Sequence, residues 1–206
     1  ALPANTIINT TEKGPRRSGV LEGMSYADNY KTLFVNIEEP LFEDGPRADT
    51  VENNALIRIL KFDVAEKKCI AQYAYKLDKI AYAPNPETAF KINGVSDILS
   101  LGNNKLLVME RSASKGRIPA TIKLFIADLN GATDISFTTL KNNRSFIAAK
   151  KSLLLNMDDL GIYTDNLEGI TFGPLLPNGH KTLLFVADNN FSNTEKAQLL
   201  LFEVLE

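Results

Sequence analysis

The sequence of 206 residues contains no tryptophan, one cysteine and one histidine, and each shortage closes off some chemistry. With Cys69 alone, no disulfide can form within the chain, and a histidine-rich zinc site cannot be built from it. A Ser-His-Asp or Cys-His device would need His180, which sits in "PNGH", a turn signature between two apolar runs. No apolar run approaches the roughly 18 residues that a membrane-spanning helix requires. Positive charge is not in excess: 23 Lys and Arg stand against 25 Asp and Glu, a net charge of −2. Neither a nucleic-acid footprint nor an anionic-membrane footprint is therefore expected. An initiator methionine and a signal peptide are both missing from "ALPANT", so the chain reads as a processed product or an excerpt. Chemistry is left to carboxylates, arginines, lysines, tyrosines or a metal held by oxygen.

What is present is strand. "KTLFVNI", "ALIRILKFDV", "AQYAYKL", "NKLLVME", "TIKLFIADL", "KSLLLNM", "KTLLFVAD" and "AQLLLFEVLE" are short and rich in β-branched, aromatic and leucine residues. Asn, Gly, Asp or Pro bounds each of them. "LLLNMDDLG" fits a strand followed by a turn better than a helix. The reading is all-β.

Three segments, 22–77, 97–157 and 168–206, share one plan. Each starts with an acid before an apolar strand, passes a turn, and continues in a strand that ends in an acid. Further strands then close on "FDV", "ADL" or "FEV". Repeats of four short antiparallel strands at this period read as β-propeller blades. The third repeat stops after its third strand, and "LPANTIIN" at the chain start is the candidate for its missing fourth. Three blades do not close a ring, so the chain is expected to be the C-terminal part of one incomplete propeller domain, or half of a ring completed by a second chain. A β-sandwich of similar hairpins is the alternative.

Counting outward from each turn pairs the acids across the hairpins: Glu22 with Glu38, Asp97 with Glu110, Glu168 with Asp188. Like charges directly opposite destabilise a strand pair, so something positive is expected between them. Glu22, Glu38, Asp97, Glu110, Glu168 and Asp188 are the candidate metal ligands. An oxygen-only set suits Ca²⁺ or Mg²⁺, with Ca²⁺ favoured. Glu22, Asp97, Glu110 and Glu168 are equally candidates for acid/base catalysis, or they are solvated strand ends. Arg47, in the long charged loop 38–54, and Arg111, beside Glu110, are candidates for holding an anion or for neutralising the acids. Arg16 and Arg17 lie just before Glu22. Tyr26, Tyr73 and Tyr75 read as packing residues, Cys69 as a passive strand residue, and Lys67–Lys68 as a turn.

Three stretches, "EGMSYADNYKTLFVNIEEPLFEDGPRADTVENNALIRILKFDV", "NGVSDILSLGNNKLLVMERS" and "DNLEGITFGPLLPNGHKTLLFVADNNFS", resemble the phytase-like domain family, whose members are often described as having esterase-like activity of phytase. The resemblance runs from about Gly14 to Val204. It implies a β-propeller, usually exported in bacteria to the periplasm or outside. It also implies a distant similarity to calcium-dependent propeller phytases, which bind Ca²⁺ and phosphate on one face. Motif by motif it marks Glu22, Glu38, Glu39, Arg47, Asn53, Arg58, Asp97, Glu110, Arg111, Asn166, Glu168, Asp188 and Asn190. Asp97 stands where the family usually has Glu, and "RSGVLEG" where it usually has "NRGFEG". The function expected is a Ca²⁺-dependent hydrolase of phosphorylated or ester substrates. The competing reading is a non-catalytic propeller whose acids and arginines align the blades. A serine esterase lacks its G-x-S-x-G elbow.

Overall fold

Every one of the strand-like runs becomes a strand. The computed structural model describes all residues except Thr10, Glu52, Asn53, Ile118, Arg144 and Glu206. Among the described residues it holds eleven strands, two short 3-10 turns and no α-helix. The first sheet is β1 (Leu21–Ala27), β2 (Thr32–Ile37), β3 (Leu56–Asp63) and β4 (Lys68–Lys76), hydrogen-bonded in that order. The second repeats the plan with β5 (Lys91–Gly102), β6 (Lys105–Ser114), β7 (Thr121–Asp128) and β8 (Lys150–Asn156). The third has three strands, β9 (Leu167–Phe172), β10 (Thr182–Ala187) and β11 (Gln198–Glu203), with β10 central. All pairs are antiparallel, and no sheet closes on itself.

The sheets stack through their faces. Side chains alternate along a strand, so β6 serves two cores at once. Leu106 and Val108 join Phe34, Ile57, Ile59 and Tyr75 from the first sheet. Leu107 and Met109 join Ile170, Leu183 and Phe185 from the third. That is why β6 reads as a continuous apolar run rather than an alternating one. Each fully buried aliphatic or aromatic side chain there contributes roughly 1.5–3 kcal/mol. The same stacking sets the first strands side by side, β1 against β5 and β5 against β9. The end faces remain open: Met24 and Tyr26 are exposed on the first sheet, and Val186, Leu199 and Leu201 on the third. Tyr26 lies on this open face with its ring 5.3 Å from that of Tyr30, whereas Tyr75 is fully buried.

The chain start does not supply a fourth strand to the third sheet. Pro3 opens a 3-10 turn over Ala4–Thr6, with the Thr6 hydroxyl donating back to the Pro3 carbonyl at 2.8 Å. The Ala1 amino group donates to the Lys67 carbonyl at 2.8 Å and the Asn5 amide to Gln72 at 3.2 Å, which hold this arm against the first sheet. The segment after β7 covers the free edge of β4, where Ile135 and Ala149 N–H groups donate to the Gln72 and Ala74 carbonyls, both at 2.8 Å. An edge so covered cannot template aggregation. After β8, Met157–Leu160 is a 3-10 turn capped by the Asn156 side chain, in line with a strand followed by a turn.

Candidate acid–arginine site

Each first strand carries a β-bulge close to its start, and the bulge decides which residues are equivalent. Leu21 pairs with Ile37, Val95 with Glu110 and Leu167 with Ala187; beyond these pairs the register slips in all three hairpins. Ser96 and Glu168 are therefore the extra residues, Glu22 stands at the same step of the first hairpin, and Gly23, Asp97 and Gly169 follow them. Asp97 is not the counterpart of Glu22 and Glu168; it occupies a position that is glycine in the other two sheets. The expected acid-to-acid pairing fails for the same reason. Counting from the turn holds only for an uninterrupted ladder, whereas a bulge inserts a residue on one side. Asp97 faces Met109, the Asp188 N–H donates to the Asn166 carbonyl at 3.0 Å, and the Glu38 N–H to the Val20 carbonyl at 2.8 Å.

Asp97 is the hub of the three first strands. Its Oδ1 accepts the Ile98 N–H and its Oδ2 the Ile170 N–H, both at 2.8 Å, and the Met24 N–H is a third donor. Met24, Ile98 and Ile170 are equivalent residues of the three sheets, so one carboxylate ties all three inner strands together. Room for it comes from Gly23, where a Cβ would lie 2.5 Å from Asp97 Oδ1. Burial pushes the Asp97 pKa up, the three N–H donors oppose this, and the charge of Glu168 adds to it.

Beside this hub the acids gather around one guanidinium. Arg111 projects from the face of β6 that meets the third sheet. Its Nη2 lies 3.3 Å from Glu38 Oε1 and its Nη1 3.4 Å from Glu168 Oε1, with Nη1 also donating to the Asn166 side-chain carbonyl. Glu38 is 5% exposed and is seated where Gly94 leaves space: a Cβ on Gly94 would come 2.7 Å from Glu38 Cγ. Its pKa is pushed up to about 7, first by burial, with Arg111 opposing and Glu22, Glu39 and Glu168 adding repulsion. Glu22, exposed at the rim, is also raised, by partial desolvation and then by the charges of Glu168 and Asp97 against that of Arg111. Three buried polar atoms at this seam have no hydrogen-bond partner: Arg111 Nε, Asn166 Nδ2 and Ser96 Oγ. The cluster thus holds a carboxyl that titrates near neutrality, an ionisable carboxylate at the rim, and spare N–H donors. A carboxyl and a carboxylate side by side are the parts that general acid/base catalysis uses, while the unpartnered donors lie inside the seam.

The other predicted residues lie elsewhere or are engaged. Glu110 follows Met109 on the opposite face of β6, turned toward the first sheet. Its Oε1 accepts from the Tyr75 hydroxyl at 2.7 Å and from Lys151; its Oε2 accepts from the Asp78 N–H at 3.0 Å and the Asn93 amide at 2.9 Å. Asp188 is exposed and accepts the Asn190 N–H at 3.1 Å, while the Asn190 side chain reaches Glu195. Arg47 places its guanidinium on both oxygens of the buried Glu39. Arg58 is buried in a fork on Asp44, at 2.6 and 2.8 Å, and also donates to Gln72 and the Ile135 carbonyl. Arg16 stacks 4.3 Å over Phe42 and bonds the Pro40 and Gly45 carbonyls. These arginines organise loop 38–54. His180 is exposed at a hairpin tip, 2.6 Å from Glu203. Asn53 lies outside the described residues.

Ser96 and Asn36 are not among the residues that the sequence singles out. Asn36 is fully buried, accepting the Gly23 N–H at 3.1 Å and donating to the Val95 carbonyl at 2.8 Å, which locks the first bulge to the second sheet. A polar residue inside "LFVNI" was the available signal for it. Nothing in the sequence marked Ser96.

Among the described residues, no three acids, histidines or cysteines are grouped so as to hold one metal ion. Asp97 spends both oxygens on backbone N–H groups, Glu110 is saturated on the other face, and Arg111 stands between Glu38 and Glu168. The donor set of this chain as arranged does not fit the ion.

No curated protein and no solved structure matches the chain significantly. The family model described as "Phytase-like: Esterase-like activity of phytase" matches residues 1–191, a span that contains all three bulged hairpins and the cluster around Arg111. With nearly the whole sequence matched, the chain belongs to the phytase-like family.

Proposed function

We propose that the chain is part of a β-propeller hydrolase that cleaves esters at the cluster around Arg111. The carrying observation is the pairing of a buried carboxyl, Glu38, with the Arg111 guanidinium at 3.3 Å beside unpartnered N–H donors. Arg111 and the Asn166 amide would receive the ester carbonyl oxygen. Glu22 takes a proton from water as the water oxygen bonds to the carbonyl carbon, and the negative charge that forms on the carbonyl oxygen faces the N–H donors. As the tetrahedral intermediate collapses, the bond to the alcohol oxygen breaks and Glu38 gives that oxygen its proton. The products are a carboxylic acid and an alcohol.

The propeller reading draws on the adjoining first strands and the doubly buried β6. Three sheets are fewer than the four to eight of a ring. Further sheets, from the same polypeptide or another chain, would cover the open faces at Met24 and Tyr26 and at Leu199 and Leu201. Export to the periplasm or outside is part of the proposal and rests on family resemblance.

Calcium-dependent cleavage of phosphate esters is the second reading. A divalent cation would relieve the repulsion among the carboxylates around Arg111, but it would need donors beyond those that the described residues group together.

Hydrolysis of p-nitrophenyl acetate and p-nitrophenyl phosphate, each with EGTA and with Ca²⁺, tests both. The first reading expects acetate hydrolysis in EGTA, reduced about 10²–10³-fold in Arg111→Lys and strongly in Glu38→Gln. Turnover of phosphate alone and only with Ca²⁺ would favour the second. Full activity in both variants would remove the cluster from the reaction.

A further inference from the structure

We infer that β11 is a docking edge for a second copy of this chain: the two β11 strands pair antiparallel about a twofold axis and join two third sheets into one. The inference goes beyond the hydrolase reading and does not depend on it. The sister sheets supply the template. In each of them a fourth strand lies antiparallel on the third, β4 on β3 and β8 on β7. The third sheet ends at β11, which among the described residues pairs with β10 alone. Its outward backbone groups follow from one bond. The Val204 N–H donates to the Lys181 carbonyl on the β10 side, and antiparallel ladders alternate, so Phe202, Leu200 and Gln198 also bond inward. Leu199, Leu201 and Glu203 are left with N–H and C=O groups pointing away from the sheet.

The three sheets differ in how their outer edges are guarded. The segment after β7 covers β4 through the Ile135 and Ala149 N–H groups. β8 opens on Lys150 and Lys151, and its ladder with β7 slips between Leu124 and Phe125. Lysines and bulges both discourage a further strand. β11 has neither device: it reads "QLLLFE", holds no lysine or proline, and keeps an unbroken register with β10. Leu199 and Leu201, which carry two of the outward pairs, are exposed. Self-pairing also suits the side chains. A twofold axis through Leu200 sets that residue against its own copy and Leu199 against Leu201 of the partner subunit. Glu203, the one charge in β11, then faces a neutral alanine, Ala197 of the partner subunit, so no like charges are opposed. An axis through Leu201 would set Glu203 against a leucine instead. Because both copies use the same edge, the contact closes on itself and stops at two. The open sheet faces take no part in it.

Sedimentation velocity on the full chain tests this, and a concentration-dependent equilibrium between monomer and dimer is expected. Leu201→Pro removes one outward N–H from each copy, a change that an edge strand tolerates. Two lost backbone bonds should weaken the dimer about tenfold or more. Leu199→Lys keeps every backbone group, sets a charge against an apolar neighbour, and should weaken the dimer as well. Leu200→Cys in a Cys69→Ser background should give a covalent dimer on oxidation, since the Cβ atoms of that pair would lie about 4.5 Å apart. A chain that stays monomeric at every concentration overturns the inference. A dimer that survives both Leu201→Pro and Leu199→Lys overturns it too. If Val186→Lys disperses such a dimer, the copies meet through the open face of the third sheet and not through its edge.

Discussion

Glu38 and Glu110 are both buried glutamates, one just past the end of β2 and the other within β6, and their surroundings differ completely. Glu110 lies at the seam of the first and second sheets with four donors on its two oxygens, among them the Lys151 ammonium and the Tyr75 hydroxyl. Glu38 lies where the three first strands meet, with one guanidinium nitrogen at 3.3 Å and carboxylates for neighbours. A carboxylate whose two oxygens are both taken up by donors can only hold the fold. One starved of them is poised to exchange a proton. Which role a residue takes was settled by the face of the strand it occupies, not by its type.

Removing each carboxylate should therefore fail in a different way. Glu110→Ala would strand the Lys151 ammonium, the Tyr75 hydroxyl and the Asn93 amide in a nearly dry seam. Losing one member of a buried ionic network costs about 3–5 kcal/mol, and a fall of that size in urea-unfolding stability is expected. A loss under 1 kcal/mol would mean that this seam is wetter than its burial implies.

Glu38 should reveal itself through pH. Its folded pKa of about 7 lies above the ordinary 4.5, so the folded state favours the protonated form. The stability it contributes is complete below about pH 4.5, declines as pH rises, and is gone above about pH 7. The shift corresponds to about 3 kcal/mol. Because Glu22 and Asp97 are raised as well, the informative quantity is the difference between wild type and Glu38→Gln. That difference should change by about this amount between pH 4.5 and 8, and a flat difference would contradict the assignment. Activity through Glu38 as the acid should fall over the same upper range.

The comparison also shows where sequence reading stops. The strands were legible because β-branched and leucine runs bounded by Asn and Gly have few other solutions, and the acids were legible because they recur. The register was not. A bulge leaves no compositional trace, so Asp97 was aligned by its charge with Glu22 and Glu168 rather than by its backbone with Gly23 and Gly169. Arg111 and Glu110, neighbours in sequence, belong to opposite seams for the simple reason that side chains alternate. The chain start "LPANTIIN" has strand character, yet Pro3 and Thr6 close a local turn first.

Asp97→Asn sharpens the contrast within the cluster itself. An amide keeps one accepting oxygen and turns an NH₂ toward a backbone N–H that had a carboxylate. Hydrogen bonds to charged groups are worth about 1.5–3 kcal/mol, and a loss in that range is expected. Faster amide exchange should appear at Ile170 and Met24 but not at Leu183 in the neighbouring strand. Unchanged exchange at Ile170 would show that the three inner strands do not depend on this hub.

The smallest effect belongs to Asp188, and it separates resemblance of position from identity of role. Asp188 was grouped with Glu168 as a ligand across the hairpin, but the bulge brings its backbone opposite Asn166 and leaves its carboxylate exposed. That carboxylate accepts the Asn190 N–H at 3.1 Å, a bond that the oxygen of an asparagine can replace. Asp188→Asn should therefore change stability by no more than about 0.5 kcal/mol, and ester hydrolysis in EGTA should be unaffected. A hydrolysis loss comparable to that of Arg111→Lys would bring Asp188 back into the site. It would also mean that the exposed rim of β10, and not only the buried seam at Arg111, carries the chemistry.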